Sequence, residues 1–181
     1  LAALLVILWI EERKPWLLAA ATVLLAGSMV TKREGMLFAA CVLFAGLVAS
    51  FAERRQLWPR LLAAGLVAFA LVLPWRIWFV AHGFPGDGPE TGYLGAFSYL
   101  ERVWPSLKIS VTMLFHEELW YFTTALAVAA ILLALLGGAW KVSLFAATFL
   151  VAGVAGVSWV VWSNTFLVPV FDDWAIRRFT G

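Results

Sequence analysis

The sequence contains little charge and a single cysteine. That cysteine, Cys41, excludes a disulfide within the chain, and its position inside an apolar run predicts an inert buried thiol. The net charge is only +2 and no basic tract is present, which excludes nucleic acid as a partner. The chain has no HExxH pattern, and residues 83–88 lack the strand and helix that flank a phosphate-binding loop. A soluble nucleotide-binding fold is therefore also excluded.

Apolar residues fill the sequence instead. Hydrophobic residues make up 64% of the chain and charged residues 13%, and the mean hydropathy is +0.92. A soluble domain averages ~25% charged residues, about twice as many. We therefore predict an all-α, polytopic helical membrane protein.

Apolar runs separated by short polar turns predict five full membrane spans and one partial span. The full spans are residues 16–30, 36–52, 61–80, 120–140 and 142–162, and the partial span is residues 1–10. Residues 1–10 carry no basic region or cleavage site, so we do not expect a signal peptide. Residues 163–181 are predicted to be an outer juxtamembrane tail that leads to a further helix. We therefore expect the chain to be a fragment of a longer protein.

The charged turns predict an orientation. Residues 11–15, residues 53–60 and Lys141 form turns that are denser in Lys and Arg than the loops on the other side, which places them in the cytoplasm. Tryptophans fall at both ends of the predicted spans, as expected of interfacial belts. Residues 31–35 and the long loop of residues 81–119 then face the outside.

The long outer loop carries a helical pattern of its own. Apolar residues recur every three or four positions, at Phe97, Leu100, Trp104, Leu107, Val111 and Leu114. Polar residues fill the opposite face, which predicts an amphipathic interfacial helix over residues 94–115, bent at Pro105. The alternative is a helix docked on a partner domain.

The strongest candidate site is the turn at residues 31–35. The span before it, residues 16–30, covers only about 22 Å of a hydrocarbon core of roughly 30 Å. The turn is therefore expected to lie below the outer surface, in a cavity, where charge usually marks a substrate or ion path.

The residue types in this turn suit phosphate chemistry. Lys32 and Arg33 are predicted to bind a phosphate or pyrophosphate group, and Glu34 to orient Lys32 or a substrate hydroxyl. Gly35 would let the next helix begin close to the turn. The alternative is an ordinary connecting turn with solvated charges.

Other candidates carry weaker signals. His116 and Glu117 are predicted to bind a divalent metal or to shuttle a proton, and the alternative is an acidic helix start. Arg76, about a turn inside the end of the fourth span, either reaches the lipid headgroups or binds a lipid phosphate. Charged residues of the tail, Arg177 among them, are either solvated or functional.

The Thr-Lys-Arg-Glu-Gly run at residues 31–35, opening an apolar helix, resembles the "TK-x-E-G" segment of bacterial type C glycosyltransferases. The nearest kin would be the protein-mannosyltransferase-like and lipopolysaccharide-sugar-transferase-like membrane enzymes. Later landmarks follow in the same order: a basic loop, Leu73-Pro74-Trp75, an amphipathic outer stretch, a Trp-led helix, and Arg177-Arg178 in the tail.

This resemblance implies transfer of a hexose or pentose from a polyprenyl-phosphate carrier to a lipid, glycan or protein acceptor. The reaction would occur on the extracytoplasmic face of the bacterial cytoplasmic membrane, with membrane lipid as a partner and with or without a divalent metal as cofactor. Lys32, helped by Arg76 or Arg177, would hold the leaving phosphate. Arg33 departs from the neutral residue often found in the segment.

The resemblance also implies that the catalytic carboxylate lies upstream of residue 1. No catalytic residue is therefore named, and the fragment alone is expected to be inactive. The alternative functions are a lipid-linked glycan transporter or flippase, an O-antigen polymerase or ligase, and a structural membrane subunit. The oligomeric state stays open.

Overall fold

A computed structural model describes residues 1–31, 34–83, 97, 99–115 and 121–163. Within these residues the chain forms seven α-helices, two 3-10 turns and no strand. The α-helices are α1 (Ala2–Glu12), α2 (Pro15–Thr31), α3 (Glu34–Ala49), α4 (Arg54–Ala81), α5 (Val103–Leu114), α6 (Tyr121–Leu136) and α7 (Trp140–Ser163). The 3-10 turns are Phe51–Glu53 and Leu100–Arg102. The predicted all-α class is confirmed for this part of the chain.

Two helical segments, Phe51–Ala81 and Trp140–Val160, are long and apolar enough to cross a membrane. Their apolar windows are only 22% and 17% buried, so most of this surface has no protein cover within the described residues. The apolar helices α2, α3 and α6 have 17, 16 and 16 residues, about 24–26 Å against a hydrocarbon core of roughly 30 Å. Helix length therefore supports two spans, and the predicted total of five is not shown.

The chain divides into two compact units. The first consists of Leu1–Phe84 with Ile131–Gly153, and the second of Pro85–Ala130 with Val154–Gly181. In the first unit, α1 to α4 pack as a bundle, and α7 adds Phe145 to the core. The large side chains buried most completely here are Val6, Trp9, Ile10, Leu25, Val42, Leu57, Leu61 and Val72. Buried alanines between them let the helices approach closely, as small residues do in membrane bundles.

The described part of the second unit is held together by aromatic side chains and side-chain hydrogen bonds. Trp162 donates from Nε1 to the Tyr99 carbonyl at 2.7 Å, and the Phe97 ring meets the Trp159 ring edge-on, with centroids 5.2 Å apart. The Thr124 hydroxyl donates to the Leu114 carbonyl at 2.6 Å, near the end of α5.

The charged segment 53–60, predicted to be a loop, is helical from Arg54 onward. The reason is an apolar stripe that starts earlier than the predicted span: Leu57 and Leu61 are buried one turn apart, followed by Ala64 and Ala68. Trp58 also ties this turn to α3, because its Nε1 donates to the Leu47 carbonyl at 2.9 Å. The fourth helix is therefore two turns longer than the predicted 61–80.

The boundary between the last two helices also differs from the prediction. The fifth predicted span, 120–140, ends at Leu136, because Gly138 adopts a left-handed conformation with φ of 77°. The amides of Gly138 and Ala139 close the helix end by donating to the carbonyls of Leu135 and Ala134. Lys141 consequently lies in the first turn of α7 and not between two helices.

The predicted interfacial helix 94–115 is shorter among the described residues. It consists of the turn Leu100–Arg102 and α5, which begins at Val103. Pro105 lies in the first turn of α5, where its missing amide costs no helical hydrogen bond, so it does not bend the helix. Trp104 and Val111, on the predicted apolar face, stay exposed.

Candidate functional site

The hairpin between α2 and α3 is closed by a very short connection. Only positions 32 and 33 separate Thr31, the last residue of α2, from Glu34, the first residue of α3. Behind this connection, a Cβ placed on Gly35 would collide with the backbone carbonyl of Ser28. Gly35 is therefore required for the close approach of the two helices. This agrees with its predicted role at the start of the third helix.

The hydroxyl groups of Ser28 and Thr31 donate hydrogen bonds to backbone carbonyls near the end of α2. Ser28 donates to the Leu25 carbonyl at 2.7 Å, and Thr31 donates to the Ser28 carbonyl at 2.9 Å. The Ser28 hydroxyl also lies 3.4 Å from the Gly35 carbonyl across the hairpin. The bond from Thr31 matters because the Ser28 carbonyl is one of the last four of α2, which have no partner within the helix itself.

Arg76 reaches this end of the hairpin from α4. Its Nη2 donates to the Met29 carbonyl at 3.2 Å and approaches the Met36 Sδ at 3.4 Å. Met29 precedes and Met36 follows the candidate turn in the chain. The guanidinium thus lies at the carboxyl end of α2, where a positive charge is favoured by the helix dipole.

The hydrogen bonding of Arg76 is incomplete. The side chain is half-buried, its Nε is fully buried, and Nε has no hydrogen-bond partner among the described residues. No carboxylate pairs with this guanidinium in the same part of the structure. A buried donor left without a partner costs about 1–3 kcal/mol. An anionic oxygen is the group that would satisfy both the donor and the charge.

Two exposed tryptophans accompany Arg76 on α4. The Trp75 and Trp78 rings stack with centroids 5.1 Å apart and an interplanar angle of 18°. They are 45% and 44% exposed, although the rings of Phe79 and His82 also contact this pair. Such rings are typical of a membrane–water interface.

The remaining predicted site residues fall outside the described part of the chain. These are Lys32, Arg33, His116, Glu117 and Arg177. Glu34 begins α3, but its side chain is not among those described. No group of three or more His, Cys, Asp or Glu side chains able to hold a metal occurs in the described residues. The predicted metal pair and the role of Lys32 therefore stay predictions.

Comparisons with protein-family models, curated proteins and solved structures give no match to this chain. The likeness of residues 31–35 to type C glycosyltransferases accordingly stays a prediction.

A second charged group, at the other end of the first unit, was not foreseen from the sequence. Glu53 pairs with Arg13, and its Oε1 accepts a hydrogen bond from Lys141 Nζ at 2.8 Å. Arg13 is held for this contact by a left-handed backbone conformation with φ of 60°, one residue after α1. The three side chains come from the three turns that were predicted to lie on one side of the membrane. The three side chains meet at one end of the unit, and the membrane side of the three turns stays a prediction.

Two cations surround the single carboxylate of this group and affect its pKa. The hydrogen bond from Lys141 lowers the pKa of Glu53, desolvation opposes that shift, and the charges of Arg13 and Lys141 reinforce it. Glu53 precedes α4, and the segment of residues 54–60, which carries three arginines, separates it from the apolar part of that helix. The carboxylate of Glu53 is thus satisfied by two cations, whereas Nη1 of Arg13 is buried and has no hydrogen-bond partner among the described residues.

Proposed function

We propose that this chain is part of an integral membrane glycosyltransferase, and that the end of the α2–α3 hairpin binds the phosphate of a polyprenyl-phosphate-linked sugar. The acceptor would be a lipid, glycan or protein on the extracytoplasmic face of a bacterial cytoplasmic membrane. The observation that carries the proposal is Arg76, a half-buried cation whose Nη2 donates to the Met29 carbonyl while its buried Nε lacks an acceptor among the described residues.

Membrane residence is supported by the length and the exposure of the helices. The segments Phe51–Ala81 and Trp140–Val160 are long enough to span, and their apolar windows are mostly uncovered by protein. Shorter than either of these segments, α2 and α3 would cross only part of the bilayer. A hairpin of two short helices would bring its tip below the outer surface, which is the setting predicted for residues 31–35. Five full spans belong to this proposal.

The proposed chemistry needs a cation where negative charge grows. When an acceptor oxygen attacks the anomeric carbon, the bond from that carbon to the carrier phosphate breaks, and the acceptor proton passes to a base. The departing polyprenyl phosphate gains the negative charge. A cation held in advance at this position stabilises the transition state. Arg76 and Lys32 would supply that charge, and the base is not assigned to any residue of this chain.

The test is sugar transfer by the full-length enzyme in membranes, with a panel of radiolabelled polyprenyl-phosphate hexoses and pentoses as donors. Lys32→Ala and Arg76→Gln should each lower kcat/KM for the donor by roughly 30-fold, equivalent to about 2 kcal/mol of transition-state stabilisation. Arg76→Lys should recover part of the rate, because lysine keeps the positive charge but has one nitrogen in place of the Nη2 and Nε donors of arginine. Arg55→Gln, at an exposed position near the start of α4, is the matched control and should stay within twofold of wild type.

Two outcomes would contradict the proposal. Wild-type turnover in both Lys32→Ala and Arg76→Gln would remove the hairpin end from the site. Movement of the donor across the bilayer without a new covalent product would favour the flippase alternative.

A further inference from the structure

An open groove runs along the first unit between α4 and the α1–α2 pair. Its volume is about 720 Å³, and it lies at a distance from the Arg76 site along the same helices. On α4 it follows a single face, from Arg60 through Val67 to Leu71. The eleven steps from Arg60 to Leu71 correspond to about 16 Å of helix. The groove is therefore long enough for an extended chain.

The walls of the groove are apolar. Leu18 and Val23 line it from α2, and Val67 and Leu71 from α4. Thr22 is the one hydroxyl residue among the lining side chains, and it already donates to the Leu18 carbonyl at 2.8 Å. The middle of the groove therefore offers no free polar group to a ligand, and an aliphatic chain fits it best.

Two arginines lie at one end of the groove. Arg13 and Arg60 both line it, next to Pro15, the first residue of α2. Glu53 binds Nη2 of Arg13, but Nη1 of the same guanidinium is buried and has no hydrogen-bond partner in the described part of the chain. Arg60 has no carboxylate partner among those residues either. Two cations with unused donors beside an apolar channel match an anion joined to a hydrocarbon tail.

We propose that this groove binds one acyl chain of an anionic phospholipid, with the phosphate held between Arg13 and Arg60. The inference rests on the membrane residence in the proposed function and is independent of sugar transfer. α2 and α4 run in the same direction, because Pro15 and Arg60 share the groove end, while Met29 and Arg76 meet at the opposite end. The lipid headgroup would therefore lie at the end of the unit away from Arg76, beside the Glu53 ion group.

The test measures lipid binding to the intact protein in detergent by native mass spectrometry, with dioleoyl phosphatidylglycerol and dioleoyl phosphatidylcholine as probes. Wild type should bind phosphatidylglycerol at least tenfold more tightly than phosphatidylcholine. Arg60→Gln should lose roughly tenfold in affinity for phosphatidylglycerol, as expected when one charge-assisted contact is removed. Val67→Trp should fill the groove and reduce the binding of both lipids.

Each variant has a matched control on α4. Arg55→Gln removes an exposed arginine that does not line the groove, and Leu66→Trp adds the same bulk at a 70% exposed position outside it. Both controls should bind phosphatidylglycerol like wild type. Glycerol phosphate, which has the anion without the chain, should not compete.

Three results would overturn the lipid site. The first is equal affinity for the two lipids in wild type. The second is equal loss in Arg60→Gln and Arg55→Gln, and the third is equal loss in Val67→Trp and Leu66→Trp. Each is separate from a failure of sugar transfer, because no donor sugar is present in the measurement. A protein that enters lipid nanodiscs yet shows no preference for phosphatidylglycerol would refute the groove and leave membrane residence intact.

Discussion

The cations at the two ends of the first unit have different kinds of partner. At one end, Arg13 and Lys141 both pair with the carboxylate of Glu53, although Nη1 of Arg13 is also buried without an acceptor in the described residues. At the other end, Arg76 binds only a backbone carbonyl and a thioether in the described residues, and one of its donors is buried without an acceptor. The first arrangement joins three helices. In the second, no carboxylate of the described residues pairs with the guanidinium.

The difference lies in the carboxylate, because Arg13 pairs with one and Arg76 pairs with none among the described residues. An ion pair that is partly exposed contributes at most about 1 kcal/mol to stability. A buried donor without a partner lowers stability, so Arg76 should contribute less to the fold than a cation that has a carboxylate. Three variants would break or sharpen the comparison, and they are ordered by the size of the expected effect on unfolding.

The largest effect is expected from Gly35→Ala at the hairpin end. The added Cβ would meet the Ser28 carbonyl, which is backbone and cannot rotate away, so α2 and α3 must separate. The free energy of unfolding should fall by about 3 kcal/mol, measured by SDS titration in detergent micelles. Gly27→Ala, on the same helix pair but with no atom within 4 Å of the new methyl group, should instead gain up to ~1 kcal/mol from helix propensity. Equal stability of the two variants would contradict the close packing.

A smaller, pH-dependent effect is expected from Glu53→Gln at the ion-pair end. Because the folded protein lowers the pKa of Glu53, this carboxylate contributes stability that is fully present above its ordinary pKa and is lost as the pH falls through the lowered value. At about pH 7, Glu53→Gln should cost about 1 kcal/mol, since the side chain is more than a third exposed. The difference from wild type should disappear as the pH falls through the lowered pKa of Glu53, measured by thermal unfolding across a pH series.

Glu12→Gln is the control for this variant. Glu12 pairs with Lys14 across a surface turn, and both side chains are more exposed than those of the Glu53 group. Its replacement should change stability by less than about 0.5 kcal/mol at any pH. A loss as large as that of Glu53→Gln would mean that the Glu53 group is an ordinary surface pair.

The smallest effect on stability is expected from Arg76→Met. The variant loses one charged hydrogen bond to the Met29 carbonyl, and it also removes the buried donor that has no acceptor in the described residues. These two contributions have opposite signs and similar size, so the free energy of unfolding should stay within about 0.5 kcal/mol of wild type. A loss above about 2 kcal/mol would make Arg76 a structural cation like Arg13 and would end the distinction between the two ends.

Local pattern predicted some boundaries well and missed others for identifiable reasons. The turn after α2 is at the predicted place, because charged residues interrupt two apolar runs there. The predicted start of α4 is too late. Arg54 and Arg55 were assigned to a polar loop, although the apolar stripe of the helix begins just after them, at Leu57. The end of α6 was placed too late as well, because an apolar run continues past Gly138, whose left-handed conformation ends the helix.

The amino-acid sequence by itself determined the helical class, because its apolar runs between short polar turns are longer than ordinary strands and therefore favour helices. It also marked the charged turns, since few other positions carry charge at all. Only the tertiary structure decided which charges meet. Arg76 and Met29 are 47 positions apart, and Lys141 and Glu53 are 88 apart. Such pairs depend on how each helix is rotated and aligned against its neighbours. Packing across the whole bundle sets these rotations, and they cannot be predicted from a local sequence pattern.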